Sequence, residues 1–230
     1  MINRIKIKRS PRFINCDLKE IEFKPGLNII LGANTSGKSS LIEVIKGFNA
    51  FQDDFGKGSQ NLLYTKMFQD DTLKKYKVEV EGKFCKLLSY KPESLKEQFD
   101  LNYIGTDLAT MINSKFQSRG EGRRHYHEFF VKYVEKNHNF TKDEIEHIKV
   151  DYEPEQLIIV ADEPENSMAI NMQFALFDWF LDFAKAYKDK LQIIIATHSI
   201  AAFKMANKED VNIIELNKDW IKNITRRIYE

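Results

Sequence analysis

The eight residues from Gly32 to Ser39, GANTSGKS, constrain the fold of this chain more than any other feature. They match the pattern G-x-x-x-x-G-K-[ST], in which two glycines allow successive backbone N–H groups to wrap around an anion. The pattern follows the apolar run GLNIIL at residues 26–31 and precedes SLIEVIKG, whose apolar residues recur at helical spacing. The sequence therefore predicts a buried strand, a phosphate-binding loop and a helix, in this order.

The loop predicts a nucleotide site for ATP and Mg²⁺. The N-terminus of the following helix contributes partial positive charge. Lys38 is expected to reach the terminal phosphates, and the Ser39 hydroxyl is expected to bind Mg²⁺. The expected nucleotide-binding residues are Gly32, Ala33, Asn34, Thr35, Ser36, Gly37, Lys38, Ser39 and Ser40.

A second apolar run, LIIVA at residues 157–161, ends in two adjacent carboxylates, Asp162 and Glu163. In a P-loop protein the first acid after such a strand belongs to the Mg²⁺ site, which is the role predicted for Asp162. Glu163 is predicted to act as general base on the attacking water. The alternative for both residues is a solvated acidic loop that caps a helix.

A third apolar run, LQIIIA at residues 191–196, is followed closely by His198. Ligands of α/β proteins bind at the carboxyl ends of parallel strands. From its position, His198 is therefore predicted either to contact the γ-phosphate or the attacking water, or to be structural. The other four histidines are interpreted as surface or structural residues: His125, His127, His138 and His147.

Apolar strands that alternate with helices predict a mostly parallel sheet covered on both faces. VNIIEL at residues 211–216 is expected to be a late strand of this sheet. A long helix is expected between the second and third apolar runs. Its predicted apolar face consists of Ile170, Phe174, Phe177 and Leu181.

The amino-terminal part of the chain predicts shorter strands, at residues 2–7 and 20–23. KVEVEGKFCKLLSY, residues 77–90, is interpreted as a hairpin that turns near Gly82. LNYIG at residues 101–105 is expected to be another strand. Gly47 is interpreted as the stop signal of the first helix.

The composition is that of an ordinary soluble globular protein. The chain has 230 residues, of which 43% are hydrophobic and 30% charged, and its net charge is +1. This balance does not indicate a strong overall attraction to nucleic acid or to anionic membranes, although a local basic patch is compatible with it. No apolar stretch approaches a membrane span, and no secretory signal is recognised. Cys16 and Cys85 have neither metal-binding nor disulfide spacing, so a cytoplasmic protein with reduced thiols is expected.

Four motifs in the order GANTSGKS, SRGE, LIIVADEPE and ATHS resemble those of the ATP-binding-cassette (ABC) ATPases, and they are spread over residues 32–199. The resemblance implies an α/β P-loop NTPase of the ABC-ATPase type. Its expected parts are a mostly parallel core sheet flanked by helices, an antiparallel β lobe and a small, atypical helical lobe. It also implies hydrolysis of ATP to ADP and phosphate, with a functional rather than structural His198.

No linker rich in Pro, Gly or Ser divides the chain, so a single ABC-type ATPase domain is predicted over residues 1–230. The P-loop and the antiparallel β lobe are expected over about 1–105, and the signature and helical region over about 106–155. The strand that ends in Asp162 and Glu163, called Walker B in this family, and His198 are expected in the rest of the core, over about 156–230.

The SRGE motif has a role only through the resemblance. In ABC ATPases a Ser-x-Gly-Gln/Glu signature caps the γ-phosphate of ATP bound to a second subunit, so that two ATPs lie between two head-to-tail subunits. The resemblance assigns this role in trans to Ser118, Gly120 and Glu121, and it implies an ATP-dependent homodimer. The alternative is a loop that only caps a helix. Asn166 and Ser167 stand where the family has its D-loop, near the expected dimer interface.

The amino-acid sequences of the motifs resemble those of the RecF/SMC-type and related stand-alone ATPases more than those of transporter subunits. The acidic motif reads DEPE, and Thr106 stands where transporter ATPases have the glutamine of the Q-loop. Only a short interval separates Thr106 from Ser118, which leaves little room for the usual helical lobe. No long heptad repeat for an SMC coiled-coil arm is present.

The implied function is an ATP-driven switch in DNA repair, recombination or a defence-type system. Two alternatives stay open: a nucleotide-binding subunit of a membrane ABC transporter, and an ATP-gated binding module that controls a nuclease or another effector. Nucleic acid or an effector protein is the expected partner besides the second copy. By the same resemblance, Arg12 or Phe13 is expected to stack on the adenine base.

Overall fold

The structure is a computed structural model, and it describes residues 1–49, 71–90, 152–166, 168–187 and 190–229. Several sequence predictions lie outside them: the strand at 101–105, the Q-loop position Thr106, the signature residues Ser118, Gly120 and Glu121, the D-loop residue Ser167, and the histidines His125, His127, His138 and His147.

The larger of two sheets is parallel and forms the core. Its strands are β3 (Gly26–Leu31), β5 (Phe84–Tyr90), β6 (Tyr152–Asp162), β7 (Leu191–Ala196) and β8 (Val211–Glu215). They lie in the order β5-β6-β7-β3-β8, and every neighbouring pair is parallel. Strands β3 and β7 are buried over their whole length, as expected for a sheet with both faces covered. The predicted core sheet, including the late strand, is confirmed.

Helices cover both faces of this sheet. They are α1 (Lys38–Phe48), α2 (Ile170–Ala186), α3 (Ile200–Phe203) and α4 (Trp220–Tyr229), and the described residues 71–76 are also helical. Successive side chains of a strand lie on opposite faces. Accordingly, Ile193 packs in the same cluster as Phe177 of α2, whereas Ile194 packs with Leu41 of α1. None of the described helices has the length and the apolar character needed to cross a membrane.

The expected apolar face of α2 is correct in its central part and wrong at its beginning. Phe177 and Leu181 are buried, and Phe174 is partly buried. Ile170, in contrast, is 52% exposed. It is the first residue of the helix, and the buried residues of α2 begin only at Leu176.

The smaller sheet is antiparallel and confirms the predicted β lobe. It consists of β1 (Ile2–Ile7), β2 (Glu20–Glu22) and β4 (Val78–Gly82), in the order β2-β1-β4. Ile2 and Ile5 of β1 are both buried, although they are three positions apart. A shift of register between Ile2 and Arg4 brings both side chains to the core face, as in a β-bulge.

The predicted hairpin at residues 77–90 is wrong. Its two strands, β4 and β5, do not pair with each other: β4 pairs with β1, and β5 pairs with β6 in the other sheet. The chain crosses between the sheets at Lys83, whose N–H donates to the Met1 carbonyl at 2.9 Å. A Cβ atom on Gly82 would lie 2.6 Å from that carbonyl oxygen. Glycine is therefore needed here for close backbone approach, and not for a turn.

The interpretation of Gly47 as a helix stop is also wrong. Helix α1 continues through Gly47 to Phe48 and ends at Asn49. A Cβ atom on Gly47 would lie 2.3 Å from Cγ2 of Thr72. The missing side chain allows the helical residues 71–76 to pack closely against α1, so the glycine serves packing within the helix.

Replacing Gly82 with alanine is expected to destabilise the protein by about 1–3 kcal/mol, because the new methyl group would overlap backbone atoms that cannot rotate away. The free energy of unfolding from chemical denaturation measures this effect. Glu81→Ala is the control, since the neighbouring Glu81 side chain is exposed and exposed ion pairs contribute little to stability. Equal denaturation midpoints for Gly82→Ala and Glu81→Ala would contradict the close approach.

Candidate functional site

The P-loop lies between the carboxyl end of β3 and the first turn of α1. Lys38 is the first residue of α1 and is buried. Its Nζ atom donates to the carbonyl oxygens of Gly32 at 2.9 Å and Ala33 at 3.0 Å. These bonds hold the charged group across the loop, where the phosphates of a nucleotide are expected to bind.

The backbone of the loop depends on Gly37 and on the segment beneath it. Gly37 has a φ of +99°, and a Cβ atom there would lie 2.4 Å from Cδ1 of Phe13. Phe13 is 4% exposed and belongs to the core below the loop. Its ring is therefore covered, whereas the neighbouring Arg12 is exposed. Of the two residues proposed to stack on adenine, only Arg12 is accessible.

Two asparagines that the sequence analysis did not single out bracket the loop. Asn217, just after β8, accepts a hydrogen bond from the Ala33 N–H at 2.8 Å and donates to the Asn15 carbonyl at 2.6 Å. The Asn15 side chain donates to Thr35 Oγ1 at 2.7 Å. Thr35 has a φ of +66°, which is costly for a β-branched residue. We refer to Asn15 and Asn217 as the asparagine bracket. It is invisible in the sequence because these residues are far apart along the chain.

The groups around the loop fit a polyphosphate. The first intrahelical bond to Gly37 comes from Leu41, so the preceding N–H groups of α1 have no partner within the helix. Gly37 provides no side-chain cap, and the first turn contains no acidic residue. Ser36 Oγ is buried without a hydrogen-bond partner among the described residues. Backbone donors, a buried donor hydroxyl and the Lys38 ammonium together suit an anionic ligand.

The carboxylates of the acidic motif lie beside the end of β7. Asp162 is the last residue of β6 and pairs in register with Ala196. Glu163 has a φ of +48°, and its N–H donates to the Ala196 carbonyl at 2.8 Å. Its Oε1 atom lies 3.1 Å from Nε2 of His198. The structure thus places the predicted base and the predicted histidine in direct contact.

Electrostatic interactions connect these residues with the P-loop lysine. Burial lowers the pKa of Lys38, and the carboxylates of Glu163 and Asp162 oppose this change. Burial also lowers the pKa of His198, with a further contribution from the Lys38 charge, whereas Glu163 and Asp162 oppose it. A lowered pKa keeps the imidazole neutral at neutral pH, so that it can both accept and donate hydrogen bonds.

The residues predicted to hold Mg²⁺ lie at the same edge of the sheet. Ser39 is exposed in the first turn of α1, and Asp162 is exposed at the end of β6. The described part of the chain contains no group of three or more His, Cys, Asp or Glu residues that could hold a metal ion. A nucleotide-associated Mg²⁺ does not require such a group, because it is bound by one or two protein oxygens together with phosphates and water.

The fold and the site together define an ATP-binding P-loop ATPase domain of the AAA type. The chain belongs to a family described as AAA domain, whose model matches residues 4–228. This confirms the predicted α/β P-loop fold with its parallel core sheet and antiparallel β lobe, while the region predicted for the helical lobe lies mostly outside the described residues. No curated protein matches the chain.

Three solved structures are similar in shape over most of the chain. One is a nucleotide-free ATP-binding cassette from an ABC transporter, with 15% identity, a TM-score of 0.45 and coverage of 98% of this chain and 96% of that chain. Another is the ADP conformation of an ATP-binding cassette of an ABC transporter, with 17% identity, a TM-score of 0.46 and coverage of 98% and 95%. The third is cbiO1 from Clostridium perfringens, part of the ABC transporter complex cbiONQ, with 13% identity, a TM-score of 0.43 and coverage of 86% and 78%.

Replacing Asn217 with alanine is expected to weaken ATP binding by roughly 10-fold, because two hydrogen bonds of the asparagine bracket are lost and the loop spends less time in its binding conformation. Titration with a fluorescent ATP analogue measures the Kd. Asn207→Ala is a matched control at an exposed position away from the loop. Equal affinities of the two variants would show that the bracket does not determine the loop conformation.

Proposed function

We propose that the protein is a stand-alone ATPase of the RecF/SMC-like, non-transport type. In this proposal Mg-ATP brings two copies together head to tail, and hydrolysis separates them. The observation that supports hydrolysis most directly is the 3.1 Å contact between Glu163 and His198 beside the P-loop. A binding module without turnover would not need a carboxylate and a neutral imidazole in contact at this place.

Each residue at the site has a separate role in the proposed hydrolysis of ATP. The Lys38 ammonium and the free N–H groups of α1 bind the β- and γ-phosphates, and Lys38 exchanges its bonds to loop carbonyls for bonds to phosphate oxygens. Ser39 and Asp162 would hold Mg²⁺, which neutralises phosphate charge when bound. Glu163 accepts the proton of the attacking water. The neutral His198 imidazole has one N–H: while this group donates to Glu163, the other nitrogen orients the attacking water, and once the contact with Glu163 opens, the N–H donates to the γ-phosphate.

The head-to-tail arrangement rests on the resemblance of the signature motif. Ser118, Gly120 and Glu121 would cap the γ-phosphate bound to the partner copy, and Asn166 and Ser167 would lie near the interface.

The proposed output is a switch in DNA repair, recombination or defence, with nucleic acid or an effector protein such as a nuclease as the partner in the cytoplasm. This choice over a transporter subunit rests on the sequence. Threonine at position 106 replaces the Q-loop glutamine, and the interval from Thr106 to Ser118 is too short for the usual helical lobe. In a transporter ATPase, the Q-loop glutamine and the helical lobe couple the subunit to its membrane partner.

The Glu163→Gln variant is expected to bind ATP but to lower kcat by about 100-fold or more, because the general base is lost. ATP should then accumulate in the closed dimer. Size exclusion with light scattering, with and without Mg-ATP, should show the mass rising from one chain to two. A mass that stays at one chain while ATP is bound would overturn the homodimer, and turnover at the wild-type rate would overturn the role of Glu163.

Two further substitutions in the Glu163→Gln background act as controls. Ser118→Arg should still bind ATP and remain a single chain, because the substitution blocks the signature without touching the P-loop. Lys38→Ala should bind no ATP and should also remain a single chain. A normal ATP affinity after Lys38→Ala would contradict the assignment of the P-loop. An intact dimer after Ser118→Arg would show that residues 118–121 only cap a helix.

A further inference from the structure

A second glutamate of the acidic motif, Glu165, lies behind the site and not in it. It is only 5% exposed. The Thr197 hydroxyl donates a hydrogen bond to its Oε1 atom. Thr197 Oγ1 in turn accepts from the Ser199 N–H at 2.9 Å. The carboxyl group therefore joins the turn after β6 to the segment after β7.

Packing alone does not account for a carboxyl group at this place. Glu165 Oε2 is buried without a hydrogen-bond partner among the described residues. Burial raises the pKa of Glu165, and burying a polar group that is not fully paired costs free energy. An apolar side chain of similar size would fill the same space without this cost, so the contacts of the carboxyl group require another explanation.

The ladder of the sheet stops just before the reactive residues. The last register pair between β6 and β7 is Asp162 with Ala196. Beyond it, the Thr197 N–H donates to the Ile30 carbonyl at 3.1 Å and the Ser199 hydroxyl donates to the Gln173 side chain at 2.6 Å, so the His198 segment is attached to β3 and to α2. The turn that carries Glu163 reaches this segment through the Glu163 N–H bond to the Ala196 carbonyl and through the bond between Thr197 and Glu165. The relative position of Glu163 and His198 therefore depends in part on the contact of Glu165 with Thr197.

We propose that Glu165 is a positioning residue that, through Thr197, sets the contact between Glu163 and His198 and thereby the rate of ATP hydrolysis. The inference rests on the proposed ATPase function. The carboxylates that interact with the P-loop lysine are those of Glu163 and Asp162, whereas the carboxyl group of Glu165 bonds to Thr197. Its loss should therefore change turnover and leave ATP binding nearly unchanged.

The sharpest test uses two substitutions of Thr197, which is fully buried. Thr197→Val keeps the shape of the side chain and removes the hydroxyl group, whereas Thr197→Ser keeps the hydroxyl. Thr197→Val is expected to lower kcat about 10-fold or more with KM for ATP changed by less than about twofold, since misplaced reacting groups slow chemistry without weakening binding. Thr197→Ser should retain most of the rate. Equal rates for the valine and serine variants would overturn the proposal.

A double substitution separates positioning from a general loss of structure. If Glu165 and Thr197 act through His198, Thr197→Val should lower kcat no further in the His198→Ala background. A full additional loss in that background would mean that the hydroxyl group acts independently of the histidine, and it would overturn the proposal. Glu165→Leu and Glu165→Gln form a second pair. The leucine variant should behave like Thr197→Val, and the glutamine variant, which keeps an acceptor oxygen, should resemble the wild type.

Amide hydrogen exchange tests the contact without any nucleotide. In Thr197→Val and Glu165→Leu, the amides of His198 and Ser199 should exchange about 10-fold faster, while those of Ile193, Ile194 and Ile195 in β7 stay protected. Unchanged exchange at His198, or faster exchange along all of β7, would overturn the local role. If the wild-type protein hydrolyses no ATP, the proposed function fails, and the exchange result still decides whether Glu165 holds the His198 segment.

Discussion

The parallel pairing of β3, β7 and β6 is the constraint on which the site depends. Its register places Ile30 beside Ala196 and Ala196 beside Asp162, so three segments far apart in the chain end at one edge. The pairing continues past the strands, because the Thr197 N–H donates to the Ile30 carbonyl at 3.1 Å. This bond links the histidine segment to the residue that precedes the P-loop by two positions. Any slip of register would separate the phosphate loop from the residues proposed to act on the phosphate.

Two buried polar side chains fix this sheet relative to the antiparallel one. The side chain of Gln192 in β7 donates to the Ile2 carbonyl at 2.8 Å and accepts from the Ile2 N–H at 2.9 Å. Gln192 thus pairs with the backbone of β1 as a neighbouring strand would. Asn28 in β3 accepts from the Asn212 side chain of β8 at 2.9 Å, and Asn212 also donates to the Glu22 carbonyl of β2 in the antiparallel sheet at 3.0 Å. Because an unmade buried hydrogen bond is costly, such pairs favour one arrangement of the two sheets over all others.

Sequence patterns predicted the elements of the fold better than their partners. The P-loop motif and the apolar runs were sufficient for β3, β6, β7, β8 and α1, since a strand buried on both faces has few other interpretations. The hairpin prediction for residues 77–90 was wrong, because apolar and polar residues that alternate on both sides of a glycine are typical of a hairpin and also of two strands in different sheets. In the site, motifs predicted Lys38, Asp162, Glu163 and His198 at one edge. The asparagine bracket and the buried Glu165 could not be predicted, because their contacts are created by the tertiary fold alone.

The site has two halves, the P-loop and the pair of segments that carry Glu163 and His198, and different polar contacts stabilise each half. The asparagine bracket holds the loop that receives the phosphates, and it is anchored at the end of β8 by the bond from the Leu216 N–H to the Leu31 carbonyl. Glu165 holds the other half, the turn and the histidine segment at the ends of β6 and β7. Each half includes a residue in a costly left-handed conformation, Thr35 in the first and Glu163 in the second. Lys38 interacts with both halves, through its bonds to the loop carbonyls and through the charges of Glu163 and Asp162. Nucleotide affinity and turnover should therefore respond to different sets of substitutions, and a substitution of Lys38 should change both.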